Sequence, residues 1–298
     1  MSAPVAVSAT SPSPSPSAAT STRTRGAAPR RRRAWSLGDA IVPVFATLAF
    51  AYLLVPIAYT VAFSFNDAGR SNLVWRGFSL DAWRNPCGAP QVCESLVNSL
   101  LVGLIATVVA TVLGTLIAIA LVRYRFRGRT AANLLIFLPM STPEVVLGAA
   151  LLAQFLAVRV QPGFGTVVIA HIMFCISFVV VTVKARVASL DPKLEEAAAD
   201  LYASSWLAFW KVTFPLLIPG IAAAALLAFS LSFDDFIITN FNSGSFTTFP
   251  KFVYVSATRG IPPQANVIGS MMFFLALALV LAVQVLAAVK RRRAATVS

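Results

Sequence analysis

"LVNSLLVGLIATVVATVLGTLIAIALV", residues 96–122, contains no charged side chain. At 1.5 Å of rise per residue, about 20 apolar residues in a helix cross the roughly 30 Å hydrocarbon core of a bilayer. The same criterion selects runs at 40–65, 132–157, 164–183, 216–239 and 266–289. The predicted fold is therefore all-α, a polytopic membrane protein with about six transmembrane helices. Pro139 and Pro143 predict a kink in the third span. Composition agrees: 58% of the 298 residues are hydrophobic and 12% are charged, against about 25% charged in soluble proteins. No second, soluble domain is indicated.

The predicted domain layout is a tail over 1–35, a membrane domain over 36–290 and a second tail over 291–298. The first segment is Ser, Pro, Ala and Thr with "SPSPSPS" at 11–17. It cannot bury enough apolar surface to fold and is expected to be disordered. The apolar run beginning near Ala40 is too long for a cleavable signal and reads as a retained first span. With the N-terminus inside, 18 Lys and Arg fall in cytoplasmic segments and 6 in outer ones. That asymmetry predicts cytoplasmic termini in a plasma (inner) membrane.

The net charge of +13 does not point to nucleic acid. The basic clusters flank apolar segments, while the aromatic residues lie within them. Cys87 and Cys93 fall in the first outer loop, as either a disulfide or two free thiols. Cys175 and the single histidine, His171, sit in the fourth span. A packed, hydrogen-bonded role suits His171 better than metal binding, and no metal site is expected. No catalytic motif is present, and no Gly-x4-Gly-Lys-Ser/Thr stretch exists to cradle nucleotide phosphates.

Between the fourth and fifth spans lies a polar, mostly helical stretch, 184–214, containing "SLDPKLEEAAADLYASSWLAFWKVTFP" at 189–215. Asp191 and Pro192 suit a helix start, and Glu195 and Glu196 in the early turns complement the helix dipole. Three alanines leave a smooth surface that a partner can approach. A second short helix is expected from about Ser204 to Val212. Glu196-Ala197-Ala198, three residues, Tyr202, nine residues and Val212-x-Phe214-Pro215 resemble the loop of binding-protein-dependent ABC importer permeases. That family's pattern is Glu-Ala-Ala, three residues, Gly, nine residues, Ile-x-Leu-Pro. Tyr202 replaces the Gly, Val212 the Ile and Phe214 the Leu. A non-Gly residue at positive φ costs about 1–2 kcal/mol, so either the turn is remodelled or the strain is tolerated. "LSFDDFIITNFNSG", starting at Leu231, and "LPMSTPEVVLGAALLAQF", at 138–155, are similar to the spermidine/putrescine permeases of the PotC type.

The resemblance implies a type I ABC importer permease fold and a non-catalytic translocation subunit. It implies two cytoplasmic ATPase subunits, a second homologous permease, an external solute-binding protein and surrounding lipid as partners. This chain would bind no cofactor, ATP and Mg residing on the ATPase. Glu196, Ala197 and Ala198 become the expected ATPase contact, flanked by Glu195, Asp200, Tyr202 and Pro215. Thiamine, ferric iron or phosphonate remain alternative solutes. A gradient-driven carrier is the alternative of another class, and it has no use for such a loop.

Three acidic residues interrupt apolar spans. An ionisable group at mid-bilayer costs about 2.5–3.5 kcal/mol on insertion scales and normally faces protein or water. Glu144, beside Pro143, is a candidate cation site in the pathway, the alternative being a structural hydrogen bond. Asp234 and Asp235 lie near the outer end of the fifth span. Helical spacing would place Ser230 with Asp234, and Ser232 with Asp235 and Thr239, on shared faces. Those carboxylates either receive a polycation or are simply solvated.

Overall fold

The computed structural model describes residues 37–68 and 72–295, whose regular structure is helical apart from one isolated bridge, Asn66 to Phe78. The expected tail over 1–35 and the last three residues lie outside the described residues. The chain divides into two compact units, up to Tyr52 and from Leu53 onward. The first contributes the opening turns of α1 (Leu37–Phe63), whose apolar side chains, such as Phe45 and Tyr52, are exposed. The rest of α1 leads to a loop containing the four-residue α2 (Asp81–Arg84).

The run quoted above lies in α3 (Val92–Arg123). Val102, Ala106, Ala110, Gly114 and Ala118 recur every fourth residue and are buried along one face. Such a small-residue stripe lets helix backbones approach closely. A Cβ on Gly114 would lie 2.6 Å from Val179 Cγ1, so only glycine fits there. Val179 belongs to α6 (Phe164–Ala188), the most enclosed of the long helices, with 56% of its apolar window buried. α3, α6 and α9 (Phe214–Asp234) share the main apolar core, which includes Leu121, Phe174, Val183, Leu217 and Ala228.

Two expected spans depart from single helices. Residues 132–157 form α4 (Arg129–Ser141) and α5 (Glu144–Ala157), bent by 109° rather than kinked. Thr142 precedes Pro143 and is driven to an extended conformation, φ −84° and ψ 133°. Pro143 has no N–H to continue the ladder, so Glu144 begins a new helix. The expected span at 216–239 also breaks. α9 stops at Asp234, Asp235 is extended, and α10 (Ile237–Asn242) follows.

Between α6 and α9 stand α7 (Lys193–Asp200), α8 (Ser205–Ala208) and a π-helical turn, Phe209–Thr213. After α10 come α11 (Phe249–Arg259) and α12 (Pro263–Ala295), so the expected boundary at 290 falls inside a helix. Among the described residues, five helices are long and apolar enough to cross a membrane, or six if α4 and α5 count as one span. In water the exposed apolar side chains of α12, such as Leu279, Val283 and Leu286, would form a large unfavourable patch. In lipid they are the natural surface.

Candidate functional site

The loop helix α7 is short because its ends are specified. Asp191 Oδ1 accepts the Lys193 N–H at 3.0 Å, and Pro192 occupies the N-cap. At the other end, Ala203 N–H donates to Ala198 O at 3.1 Å and Tyr202 N–H to Ala199 O at 2.9 Å. This is a Schellman termination, and Tyr202 takes its left-handed position at φ +59°. The turn expected of a glycine is therefore kept, with the strain tolerated. Tyr202 is 99% exposed, so its ring meets no obstacle. Ser204 Oγ then accepts the Leu207 N–H and starts α8. Pro215 cannot donate to the carbonyl four residues back, and the wider π-turn just before it is where the ladder absorbs that loss.

The loop residues do not all face one way. Glu196, Ala197 and Asp200 are exposed, whereas Ala198 is buried, which corrects its expected place on the outward surface. Glu195 turns inward: Oε2 accepts from Arg123 Nη1 at the end of α3, and Oε1 accepts from Thr213 Oγ1 in the π-turn. Burial alone would raise its pKa. The hydrogen bonds from Arg123 and Thr213 and the Arg123 charge outweigh that and lower it. Beside this contact is a cavity of about 370 Å³ lined by Arg123, Glu195, Ala199, Phe209 and Thr213, among others. The outer tip also presents Leu201 and Trp206, both exposed. Single apolar residues in a polar loop carry no periodic signal, so neither stands out in the sequence.

A second cluster forms where α9 and α10 part. Asp234 is exposed, but Asp235 is buried and caps α10. Its carboxylate accepts the N–H groups of Ile238 at 3.2 Å and Thr239 at 2.9 Å, and the Thr239 hydroxyl at 3.1 Å. His171 Nε2 lies 3.3 Å from the same carboxylate and 2.9 Å from Thr239 Oγ1, while Nδ1 meets Ser232 Oγ at 2.7 Å. Ser232, Asp235 and Thr239 do meet, but through a cap and a histidine bridge instead of one continuous helix face.

Glu144, exposed in the first turn of α5, stands within electrostatic reach of both Asp235 and Asp234. α5 and α10 cross closely at Gly148, where a Cβ would come within 3.0 Å of Phe241, and Asn242 Nδ2 donates to Gly148 O at 3.2 Å. Phe236, next to the acidic pair in the chain, stacks on Tyr254 at 4.2 Å between ring centroids. Tyr254 is half exposed, and nothing in its local sequence marks it as part of this site. Only the fold carries α11 back to this point.

The far end of α3 is tied by a disulfide between Cys87 and Cys93, Cα atoms 5.3 Å apart, which resolves the alternative of free thiols. In the preceding loop, Asn66 Nδ2 donates to Asn72 Oδ1 at 2.7 Å, and Asn72 Nδ2 to Phe63 O at 2.6 Å. Lys251 Nζ donates to Ser243 Oγ and to the carbonyls of Gly244 and Phe246. Burial lowers its pKa.

Residues 110–295 match the family described as binding-protein-dependent transport system inner membrane component. The chain is 35% identical over 243 residues to the spermidine/putrescine transport system permease protein PotC of Haemophilus influenzae, covering 81% of this chain and 94% of that protein. It is 34% identical over 244 residues to PotC of Escherichia coli strain K12, covering 82% and 92%. It is 32% identical over 236 residues to the putrescine transport system permease protein PotI of the same strain, covering 76% and 84%. Among solved structures, a bacterial ABC transporter involved in the import of the acidic polysaccharide alginate aligns at a TM-score of 0.53 and 17% identity, covering 83% of this chain and 98% of that one. A bacterial alginate ABC transporter in complex with its pentasaccharide-bound periplasmic protein aligns at 0.57 and 15%, covering 82% and 91%. At such identity these structures speak for the fold alone.

Proposed function

We propose, for a chain that belongs to the binding-protein-dependent transport system inner membrane components, that it is the polyamine-translocating permease subunit of an ABC importer. One observation carries the reading: 35% identity extends over 94% of a spermidine/putrescine permease. That span includes the loop with its Schellman turn and the acidic cluster. An importer of thiamine, ferric iron or phosphonate, or a gradient-driven carrier, has no comparable support.

The chain supplies the path and other subunits supply the energy. ATP and Mg belong to cytoplasmic ATPase subunits, which dock on the outward face of α7 through Glu196, Ala197 and Asp200, with Leu201 and Tyr202 at the tip. A second permease chain completes the pathway, and an external binding protein delivers the solute. In this reading α7 lies inside the cell together with both termini. The Lys and Arg distribution supports it, and so does the disulfide. Cys93 lies at the opposite end of α3 from Arg123, the partner of Glu195, and disulfides persist in oxidising compartments.

Within the pathway, Glu144 and Asp234 offer exposed carboxylates to the ammonium groups of a linear polycation. Tyr254 and Phe236 offer ring faces to its methylenes and charge. Asp235 instead holds the α9–α10 junction. A cell-interior-negative potential assists entry by about 2.3 kcal/mol per charge per 100 mV. ATP therefore mainly sets direction and retention. The test is uptake of radiolabelled spermidine and putrescine by cells with and without the gene, then by proteoliposomes holding the complete transporter. Gene-dependent, ATP-dependent uptake is expected. Unchanged uptake of both on deletion removes the polyamine assignment.

A further inference from the structure

The two acidic residues that open α7 have different surroundings. Glu196 is exposed, while both Glu195 oxygens are engaged within the chain, one by Arg123 at the end of α3 and one by Thr213 just before α9. Among the described residues, these are the only side-chain hydrogen bonds from α7 to those two elements. Thr213 is 3% exposed. The cavity of about 370 Å³ at the same place means that close packing does not clamp α7 to the bundle there. Beside that space Glu195 is the side-chain tether. The tether ends in a π-turn, a ladder register associated with functional irregularity in helices. Nearby, Arg186 of α6 donates two hydrogen bonds to Leu216 O, at 3.0 and 2.8 Å. A Cβ on Gly220 would come within 2.5 Å of Arg186 Cγ. The ends of α6 and α9 are thus locked together, whereas the side-chain link from α7 to α3 and the π-turn runs through Glu195.

We propose that Glu195 is a positioning residue, an intramolecular pin that transmits displacement of α7 to α3 through Arg123 and to α9 through Thr213, and is not itself a contact for the ATPase. The inference rests on the coupling role given to α7 above. The pin is charged and half-exposed rather than buried, so it holds direction without freezing the helix. The lowered carboxyl pKa keeps Glu195 ionised throughout the neutral range.

The test uses the complete transporter in proteoliposomes, measuring spermidine uptake and ATP hydrolysis together. Glu195→Gln and Glu195→Ala should each retain the co-purified ATPase. They should lower the spermidine moved per ATP about tenfold, within the range usual for coupling between sites. The reversed pair, Arg123→Glu with Glu195→Arg, should restore most of that ratio, which a misfolded variant cannot do. Thr213→Val should give a smaller loss in the same direction. An unchanged ratio in Glu195→Ala overturns the pin. So does loss of the ATPase from Glu195→Ala while Arg123→Ala keeps it, since Glu195 would then be a partner contact. If the wild-type complex moves spermidine without ATP, the coupling reading itself falls and takes the pin with it.

Discussion

Two adjacent acidic pairs, Glu195–Glu196 and Asp234–Asp235, are divided by the fold in the same sense but by different physics. In each pair one carboxylate turns inward and the other stays exposed. On α7 the pair lies within one helix, where successive side chains are about 100° apart. The inward member meets a cation and a hydroxyl and remains half solvated. At the α9–α10 junction the helix breaks after Asp234. The inward member is buried against two backbone N–H groups, a hydroxyl and His171. The first arrangement is a half-solvated ion pair and hydroxyl contact; the second is a buried cap. Inward members hold this chain's own elements, and outward members are left to meet other molecules.

The largest effect should come from removing the buried member. Asp235→Ala takes the cap from α10 and leaves the buried Ile238 and Thr239 N–H groups without their acceptor, so about 1–3 kcal/mol of stability should be lost. Denaturant unfolding in detergent measures this, and a loss below about 1 kcal/mol would dissolve the contrast between the two pairs. Its outward neighbour should behave oppositely. Asp234→Asn should leave the unfolding midpoint in place while spermidine uptake falls roughly ten- to hundredfold, as for one lost charged hydrogen bond. A large drop in stability there would make Asp234 structural.

Tyr202→Gly sharpens the α7 side. Glycine removes the left-handed penalty of about 1–2 kcal/mol but frees the unfolded chain, so a gain of roughly 0.5–1 kcal/mol is expected. Destabilisation would mean that the Tyr202 ring binds something. The smallest effect is acid sensitivity at the pin. Glu195 has a folded pKa below its ordinary 4.5. Its stabilisation is fully present above that value and is lost as pH falls through the lower folded value. Being half exposed, it should contribute less than about 1 kcal/mol. Comparing acid unfolding of wild type with Glu195→Gln checks it, the variant being insensitive in that window.

Much of the candidate site could be read from the chain, and the limits have specific causes. Pro143 announces a break because a proline lacks the N–H that a helix needs, yet the bend of 109° depends on how α5 packs against α10. The break after Asp234 has no proline or glycine to mark it. It exists because distant groups, His171 and Gly148 O, reward residues 235–242 for leaving the α9 ladder. The positive φ of Tyr202 follows from a spacing pattern, since local hydrogen bonds alone close that turn. Tyr254 was invisible because nothing near it in sequence concerns Asp234.

The sequence by itself determined the membrane class, the approximate spans, the amphipathic loop and its termination. Each of these depends on interactions within a few residues or on bulk apolarity. Only the tertiary structure decided which carboxylate of each pair turns inward, and that Cys87 and Cys93 are bonded. Neighbouring residues of one type have the same intrinsic preferences. What separates Glu195 from Glu196 is Arg123, 72 residues away along the chain, and packing is what brings it near.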